Sequence, residues 1–404
     1  MKKTKQQLFI VLFLLTIFSC SKDSEMDNTN LLAEQNHVDL IQIKKIAGEM
    51  LFETSNTSIK SNVPNAKSLK KTIKDINEAK NEYGNTSFYV INYIEGGFIL
   101  LSADKRTEPI LGFSEKGNFI LNENSFPPGL KFWVKNTKKQ ITDIQNSNIE
   151  QSENNKIAWE QVQFQLSTSQ LSAIAPPGDE CFDHTVTITK GPLLSTTWHQ
   201  LGVFNDALPY INCSGSSFQV YAGCVPIAMA QVMKYYEHPS TYSWSSMPLT
   251  YGTTTTANFI ADIHNAIDYM YGSYSPSSPV YTCNSTGVYT SHDMSNVLKT
   301  QFNYSYATTA NYDYNTVKSN IGNGKPVILS GNDGGSEGHM WVCDGYRQTY
   351  FYFADCTGGS FYPLFHMNWG WIDGSYNGYY SYNDFTPGSF NFNYNKKMIY
   401  NIIP

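Results

Sequence analysis

Charge and tyrosine are divided unevenly along the 404-residue chain, and this division predicts two structural units of different composition. Residues 1–170 hold 20 Lys and Arg against 19 Asp and Glu, whereas residues 171–404 hold 8 against 15. Of the 28 tyrosines, 25 follow residue 170. The net charge of −6 provides no basic surface for binding phosphates, so nucleic acid is not an expected partner.

The N-terminus has the features of a signal peptide. Lysines precede an uncharged apolar run of 11 residues, 8–18, which is shorter than the roughly 20 residues of a membrane-spanning helix. Cys20 follows this run after one small residue, an arrangement that resembles a bacterial lipobox with an acylated cysteine. An ordinary signal peptide with an incidental cysteine is the alternative. We expect a lipoprotein signal peptide over 1–20, an acidic tether over 21–37, and an exported protein at the outer membrane or cell surface.

Residues 38–150 are predicted to form a small unit of antiparallel sheet and helix. Apolar spacing predicts one helix over 38–53, and a second, polar helix follows over 132–149. The sheet is predicted to contain four strands, at 87–93, 98–103, 110–113 and 118–121. Residues 151–184 are rich in Gln, Ser and Asn and contain Ala-Pro-Pro-Gly, which indicates an exposed linker open to cleavage.

Residues 185–404 combine one well-defined helix with a late cluster of strands. The segment Cys224–Tyr236 contains good helix formers, has Pro226 in its first turn and is followed by His238-Pro239. Strand-like alternation then recurs at 326–330, 340–346, 350–355 and 365–369. A helix followed by an antiparallel sheet predicts an α+β fold.

Cys224 stands where the first turn of this helix begins. Unsatisfied backbone N–H groups and the positive end of the helix dipole stabilise a thiolate there, so we expect a thiol pKa lowered from about 8.5 toward or below neutrality. The alternative is structural, because exported cysteines are usually disulfide partners and buried free cysteines usually fill cores. The position of Cys224 alone does not decide between a nucleophile and a structural residue.

Three further segments supply groups that a thiol nucleophile needs. A glycine-rich loop opens into a strand that begins at His339, which is placed to act as a base. Asn368 and Trp369, within Asn-Trp-Gly-Trp, are suited to orient the imidazole and to exclude water from it. Gln200 carries an amide that could hold an oxyanion together with the backbone N–H of the cysteine. Each of these residues, taken alone, also fits a structural role.

Taken together, these residues follow the chain order of papain-like cysteine peptidases, which is Gln, Cys, His, Asn. The local motifs are narrower: Gly-Cys-Val-Pro-Ile-Ala-Met-Ala at Cys224, Gly-His-Met-Trp-Val-Cys-Asp-Gly at His339, and Asn-Trp-Gly-Trp at Asn368. They closely resemble the streptopain family of secreted bacterial cysteine peptidases. Residues 97–106 and 109–114 are in turn similar to the inhibitory propeptide of that family.

The resemblance implies a zymogen with a defined division of the chain. Residues 38–150 would be an inhibitory prodomain, 151–184 the processing linker and 185–404 the peptidase domain. The implied peptidase fold is papain-like with two subdomains, in which a helix carries the cysteine and an antiparallel sheet carries the histidine. Removal of the prodomain would also free the enzyme from a lipid anchor at Cys20, and so release it to the extracellular space.

The resemblance also implies a role for each site residue. Cys224 would attack the peptide carbonyl of a protein or peptide substrate, and His339 would act as general acid and base. Gln200 would stabilise the oxyanion, and Asn368 or Trp369 would orient or shield the imidazole. No cofactor and no metal are expected, because the histidines lack the close pairs of structural zinc sites.

Two questions stay open from the sequence. With Cys224 free, Cys181, Cys213, Cys283, Cys343 and Cys356 are an odd number for pairing, and a Cys343–Cys356 bridge is one possibility among several. A different class of function is also conceivable, namely a non-catalytic, surface-anchored binding protein on a papain-like scaffold.

Overall fold

The structure, a computed structural model, describes residues 35–53, 68–126, 128–153, 155, 156, 158–160, 162, 184–332, 338–352, 361–381 and 396–404. The predicted signal peptide, nearly all of the tether and much of the predicted linker lie outside the described residues. Within the described part of the chain, no helix is long and apolar enough to cross a membrane.

The first unit is a sheet covered by a helix on each face. Strands β3 (Ile73–Lys80), β4 (Thr86–Tyr93), β5 (Phe98–Ser102) and β6 (Ile110–Ser114) pair antiparallel in that order, and β1 (Leu51–Glu53) pairs with β2 (Ser68–Lys70) separately. Apolar residues of α1 (Leu40–Glu49) pack against one face of β4 and those of α2 (Pro128–Gln145) against the other. Because both faces are covered, β4 is buried nearly throughout rather than on alternate residues only.

The predicted strand over 118–121 is wrong. The Asn92 side chain accepts a hydrogen bond from the Phe119 N–H (2.7 Å) and donates one to the Phe119 carbonyl (3.1 Å), so it occupies backbone groups that a strand neighbour would need. Phe119 is still fully buried, which explains its strand-like apolar signal. The fourth strand is β3, which the sequence hides because most of its residues are polar and at least partly exposed.

The second unit adds helices on both sides of the sheet. Its helices are α3 (Cys224–Tyr236), α4 (Thr254–Tyr271), α5 (Met294–Gln301) and α6 (Tyr314–Gly322). Its long strands are β7 (His184–Lys190), β12 (Tyr306–Asn311), β13 (Val327–Asn332), β14 (Gly338–Tyr352), β15 (Phe361–Asn368) and β17 (Lys397–Ile403). Its short strands are β8 (Tyr210–Cys213), β9 (Ser216–Gln219), β10 (Val280–Tyr281), β11 (Thr286–Gly287) and β16 (Gly378–Tyr380). The helix at Cys224 was predicted with these bounds, whereas α4, α5 and α6 were not predicted.

Strands from both units form one sheet. Its order is β12-β17-β13-β14-β15-β16-β6-β5-β4-β3, and β7 pairs with the far half of β14. The junction is the antiparallel pair β16–β6, where Tyr379 lies opposite Phe113 and Tyr380 opposite Gly112. Trp133 of α2 reinforces the junction, since its Nε1–H donates to the Ser381 carbonyl at 2.9 Å. The first unit therefore closes an edge of the second unit's sheet, instead of forming the separate small sheet that the sequence suggested.

A buried ion pair explains the charged end of the propeptide-like segment over 97–106. The Arg106 guanidinium binds the Asp104 carboxylate at 2.7 Å, and both side chains are inaccessible to solvent. Arg106 also donates to the Ser147 carbonyl at 3.1 Å, just beyond the end of α2. Because a buried charge needs a partner, this pair holds the strand region and the end of α2 in one arrangement.

Candidate active site

The backbone at Gly223 fixes where the helix α3 begins. Gly223 precedes Cys224 with φ +81° and offers no side chain to cap the helix. A Cβ at this position would lie 2.9 Å from the Thr286 carbonyl oxygen, so only glycine fits both the conformation and the space. Cys224 is thereby the first helical residue, with the free N–H groups of the first turn beside its sulfur.

Gly223→Ala is expected to damage both stability and catalysis. The left-handed conformation and the contact with Thr286 should cost about 1–3 kcal/mol of unfolding free energy. Displacement of the first turn should lower the peptide hydrolysis expected of Cys224 at least ~10-fold. Urea denaturation and a peptide-hydrolysis assay measure these effects. Gly287→Ala is the matched control, because its Cβ would meet nothing within 4 Å. Equal behaviour of the two variants would contradict this account of Gly223.

The thiol of Cys224 forms no disulfide and is partly buried. Burial raises the pKa of the Cys224 thiol, and hydrogen bonds from the backbone amides of Met340, Cys224 and Val225 oppose this rise. The helix amides thus act in the predicted direction, but desolvation outweighs them. The prediction of a lowered pKa is therefore wrong for the full-length chain, in which the thiol is held in its protonated form.

His339 reaches the same place from the sheet. It is the second residue of β14 and lies opposite Gly331 in the neighbouring strand β13. The backbone amide of the next residue, Met340, is one of the three that bond to the Cys224 sulfur. The structure therefore brings the strand that carries the predicted base to the helix that carries the predicted nucleophile, across more than one hundred residues of sequence.

An aromatic ring from the first unit lies against His339. Phe132, on α2, is buried, and its ring centroid lies 6.5 Å from that of His339 and 5.9 Å from that of Trp341. A Cβ on Gly331 would come within 2.3 Å of the Phe132 ring. The Phe132 ring therefore fills the space beside His339. A residue larger than glycine at position 331 would clash with this ring.

Gln200 carries a buried, unpaired donor, and its backbone pairs with the loop that leads to Cys224. It is only 6% exposed, and its side-chain nitrogen Nε2 has no hydrogen-bond partner among the described residues. Its backbone carbonyl accepts from the Ala222 N–H at 3.0 Å, which places it against the loop two residues before Cys224. A buried donor without a partner is costly, about 1–3 kcal/mol, and a ligand oxygen would satisfy it.

Asn368 makes hydrogen bonds that tie the sheet to the nucleophile helix. Its Nδ2 donates to the Thr196 carbonyl at 2.8 Å and to Oε1 of Gln231 at 3.1 Å. Its Oδ1 accepts from Nε2 of Gln231 at 3.2 Å and from the Gly370 N–H at 3.1 Å. The amide of Asn368 is therefore satisfied by these groups in the full-length chain.

Trp369 belongs to the aromatic group around the histidine strand. It is 2% exposed, its ring centroid lies 5.3 Å from that of Trp341, and its Nε1–H donates to the Tyr376 carbonyl at 3.0 Å. Since Trp341 in turn contacts Phe132, the rings of Trp369, Trp341 and Phe132 form one aromatic group that joins the two units.

Sequence reasoning gave no role to two residues that hold the backbone ahead of the nucleophile. Nε2 of His264 lies 2.8 Å from the Ala222 carbonyl oxygen, and Oγ1 of Thr286 donates to the Tyr221 carbonyl at 2.5 Å. These contacts bridge 42 and 65 residues of sequence. No local pattern reports such contacts, so the sequence contained no signal for either residue.

The cysteines outside the site are partly assigned. Cys213 and Cys283 form a disulfide, whereas Cys343 is a buried free thiol. The suggested bridge from Cys343 is therefore wrong, and the other cysteine of that pair, Cys356, lies outside the described residues. No group of three or more His, Cys, Asp or Glu residues in the described part of the chain is arranged to hold a metal ion.

Two family models match successive parts of the chain. Residues 44–141 match the Spi protease inhibitor model, and residues 198–241 and 240–380 match the Peptidase C10 family model. The first match covers the unit that places Phe132 against His339, and the second covers every predicted catalytic residue.

Similar proteins were found among characterised bacterial proteins. The thiol protease/hemagglutinin PrtT of Porphyromonas gingivalis is 25% identical over 345 residues, which are 75% of this chain and 34% of PrtT. This chain thus spans about a third of the length of PrtT. Streptopain of Streptococcus pyogenes is 24% identical over 348 residues, or 72% of each chain. Prointerpain A of Prevotella intermedia, a solved structure, shares the fold at 22% identity with a TM-score of 0.53, covering 82% of this chain and 99% of that one.

Proposed function

Because this chain belongs to the peptidase C10 family and carries a Spi-type inhibitor segment ahead of its peptidase segment, we propose that it is a cysteine endopeptidase made as an inactive zymogen. The streptopain-type family predicted from the motifs is confirmed, and so is the α+β fold with a prodomain. The observation that carries the proposal is the meeting of the strand of His339 with the helix of Cys224, where the Met340 amide bonds to the Cys224 sulfur. The buried, unpaired Nε2 of Gln200, whose backbone pairs with the loop that leads to Cys224, supports it. A non-catalytic binding protein is not favoured, since the Peptidase C10 family model matches the part of the chain that holds Gln200, Cys224, His339 and Asn368.

The proposed reaction is hydrolysis of a peptide bond in two steps. The Cys224 sulfur attacks the carbonyl carbon, and the carbonyl oxygen becomes an oxyanion that accepts from Nε2 of Gln200 and the Cys224 N–H. The imidazolium of His339 protonates the leaving amine, which departs as the C–N bond breaks. His339 then takes a proton from water as the water oxygen attacks the thioester carbonyl. The C–S bond breaks, which releases the carboxylic acid and restores the Cys224 thiolate beside the His339 imidazolium.

For Asn368 and Trp369 we propose roles around the imidazole of the mature enzyme. Trp369 would shield the imidazole from water, as part of the aromatic group with Trp341. Asn368 would hold the end of β15 against α3 through Gln231, and its orienting of the imidazole would require it to exchange one of its present partners.

Latency is proposed to depend on the first unit. Its strand β6 completes the peptidase sheet at β16, and its helix α2 places Phe132 against His339. The raised pKa of the Cys224 thiol fits a site whose thiolate–imidazolium pair is not assembled. Cleavage within the proposed linker, 151–184, would separate this unit from the peptidase domain, 185–404.

We also propose that the protein is exported and anchored through an acylated Cys20. The basic N-terminus, the short apolar run and the position of Cys20 support this proposal. Cleavage in the linker would then free the peptidase domain from the membrane.

The test of the proposed function is mass spectrometry after reaction with a thiol-reactive peptidyl epoxide, with and without dithiothreitol. We expect one adduct, on Cys224, which blocks both hydrolysis and release of the N-terminal fragment. Cys343 is an internal control, because burial raises the pKa of its thiol well above the usual value and should keep it unlabelled. Peptidase activity that survives complete labelling of Cys224 would refute the proposal.

A further inference from the structure

His264 is buried directly behind the loop that leads to the nucleophile. It lies on α4 and is 3% exposed. Its Nε2 lies 2.8 Å from the Ala222 carbonyl oxygen, and its Nδ1 lies 3.1 Å from the Tyr281 hydroxyl. The ring also stacks on Tyr281, with an interplanar angle of 18°. Both ring nitrogens are therefore engaged, and the ring plane is fixed.

The two partners determine which nitrogen carries the proton. Burial lowers the pKa of His264 to about 4, so the ring is neutral at neutral pH and has a single N–H. A carbonyl can only accept, so this proton lies on Nε2 and points to Ala222. Burial raises the pKa of Tyr281 to about 12, so its hydroxyl keeps its proton and donates to Nδ1.

Ala222 connects the two proposed oxyanion donors. Its N–H donates to the Gln200 carbonyl at 3.0 Å, and it stands two residues before the N–H of Cys224. The preceding carbonyl, of Tyr221, is held by Oγ1 of Thr286. The peptide that His264 binds is therefore the last fixed point before Gly223, whose left-handed conformation directs the chain into the helix.

We propose that His264 is a positioning residue of the oxyanion hole. Its Nε2–H holds the Ala222 carbonyl and thereby sets the distance and direction between Nε2 of Gln200 and the N–H of Cys224. Both donors must point to the place where the oxyanion forms, and an error of about 1 Å at a reacting centre can cost roughly 10²-fold in rate. The inference rests on the proposed cysteine peptidase function and adds to it the residue that fixes the geometry of the hole.

The test uses the full chain, matured by a trace of wild-type enzyme that is then removed, so that self-processing does not limit the comparison. His264→Leu removes the donor, and we expect kcat to fall about 10- to 100-fold while KM changes less than about twofold. His264→Gln places an amide N–H near the position of Nε2 and should recover most of the lost kcat. Should the leucine variant fail to fold, His264→Asn, whose amide is too short to reach Ala222, takes its place.

A second readout separates the oxyanion hole from the nucleophile. Alkylation of Cys224 by iodoacetamide forms no oxyanion, so its rate should be unchanged in His264→Leu. A peptide aldehyde binds as a hemithioacetal whose oxygen occupies the hole, and its affinity should fall by a factor similar to that for kcat. The matched peptide alcohol should bind the variant and the wild type equally. Tyr281→Phe keeps the ring and the Nε2 proton and should lower kcat only a few-fold.

Three outcomes would overturn the proposal. The first is a kcat of His264→Leu within about twofold of the wild type, and the second is an equal loss in alkylation rate, which would place the effect on the thiol. The third is a glutamine variant as impaired as the leucine variant at equal thermal stability. A wild-type chain without Cys224-dependent hydrolysis would instead refute the proposed function, and this is established before any variant is compared.

Discussion

Replacing Cys224 with alanine is expected to abolish peptide hydrolysis and to leave the full-length chain unprocessed. The sulfur is the proposed attacking atom, and its removal takes away the covalent step, for which losses on the order of 10⁶-fold are known in comparable catalytic units. The fold should persist, because the residue is only partly buried and alanine is compatible with a helix. Gel electrophoresis and mass spectrometry of the purified chain over time measure processing, and a quenched peptide measures hydrolysis.

Cys343→Ala is the matched control for this experiment. Cys343 is the other free cysteine of the described residues, but it is fully buried in β14, so its loss should lower stability slightly and leave processing intact. Wild-type enzyme added in trace amounts should cleave the alanine variant of Cys224, which shows that the linker of the variant is still a substrate. If pure Cys224→Ala protein still processed itself, Cys224 would not be the nucleophile of maturation.

The elements that carry the candidate site were predictable where they depend on short segments of sequence. Glycine before a cysteine, proline in the following turn and His-Pro after the helix define α3 without any long-range information. The motif around His339 and the Asn-Trp-Gly-Trp segment are also local. The order of these segments along the chain identified the family, because the same arrangement of nucleophile and base recurs in that order.

The features that the sequence did not reveal are all long-range. The pKa of Cys224 depends on desolvation by the assembled protein, which outweighs the local effect of the helix terminus. His264 has no motif around it and acts on Ala222 only because α4 packs behind the loop. Strand β3 is polar in sequence and becomes a strand through pairing with β4. In each case the property depends on tertiary contacts, which a local sequence pattern does not report.

The continuous sheet gives a physical reason for the proposed latency. The prodomain contributes backbone pairs at β6–β16, the indole bond of Trp133 to Ser381 and the ring of Phe132, so its contacts extend from the sheet edge to His339. Arg347 adds to the junction, because its guanidinium lies 5.1 Å from the Phe113 ring centroid. Because these contacts must break together, the prodomain can stay bound after the linker is cleaved. Weakening one central contact should therefore have a large effect on activation.

Phe132→Ala is expected to raise the rate of self-activation of the full chain about 100-fold. Truncating a buried phenylalanine costs about 3–5 kcal/mol of stability. When about 2.7 kcal/mol of this destabilises the closed, inactive site relative to the open one, self-activation becomes about 100-fold faster. The ring also packs against the imidazole of His339, so its loss should admit water to the site, reduce the desolvation that raises the Cys224 thiol pKa and favour the thiolate. The rate of iodoacetamide alkylation of Cys224, measured across pH before processing, reports this directly. In the wild-type chain the raised thiol pKa predicts slow alkylation that accelerates only at high pH, and in the variant the midpoint should move to lower pH.

The control distinguishes a contact at the site from a general weakening of the prodomain. Phe88→Ala removes an equally buried ring from β4 whose aromatic contact, to Trp133, lies within the prodomain. At matched unfolding midpoints, it should accelerate activation far less than Phe132→Ala and leave the pH dependence of alkylation unchanged. If both variants shifted the pH profile equally, latency would depend on prodomain stability, and the ring against His339 would have no special part in it. A shift confined to Phe132→Ala would mean that the prodomain keeps the enzyme latent by preventing formation of the catalytic ion pair.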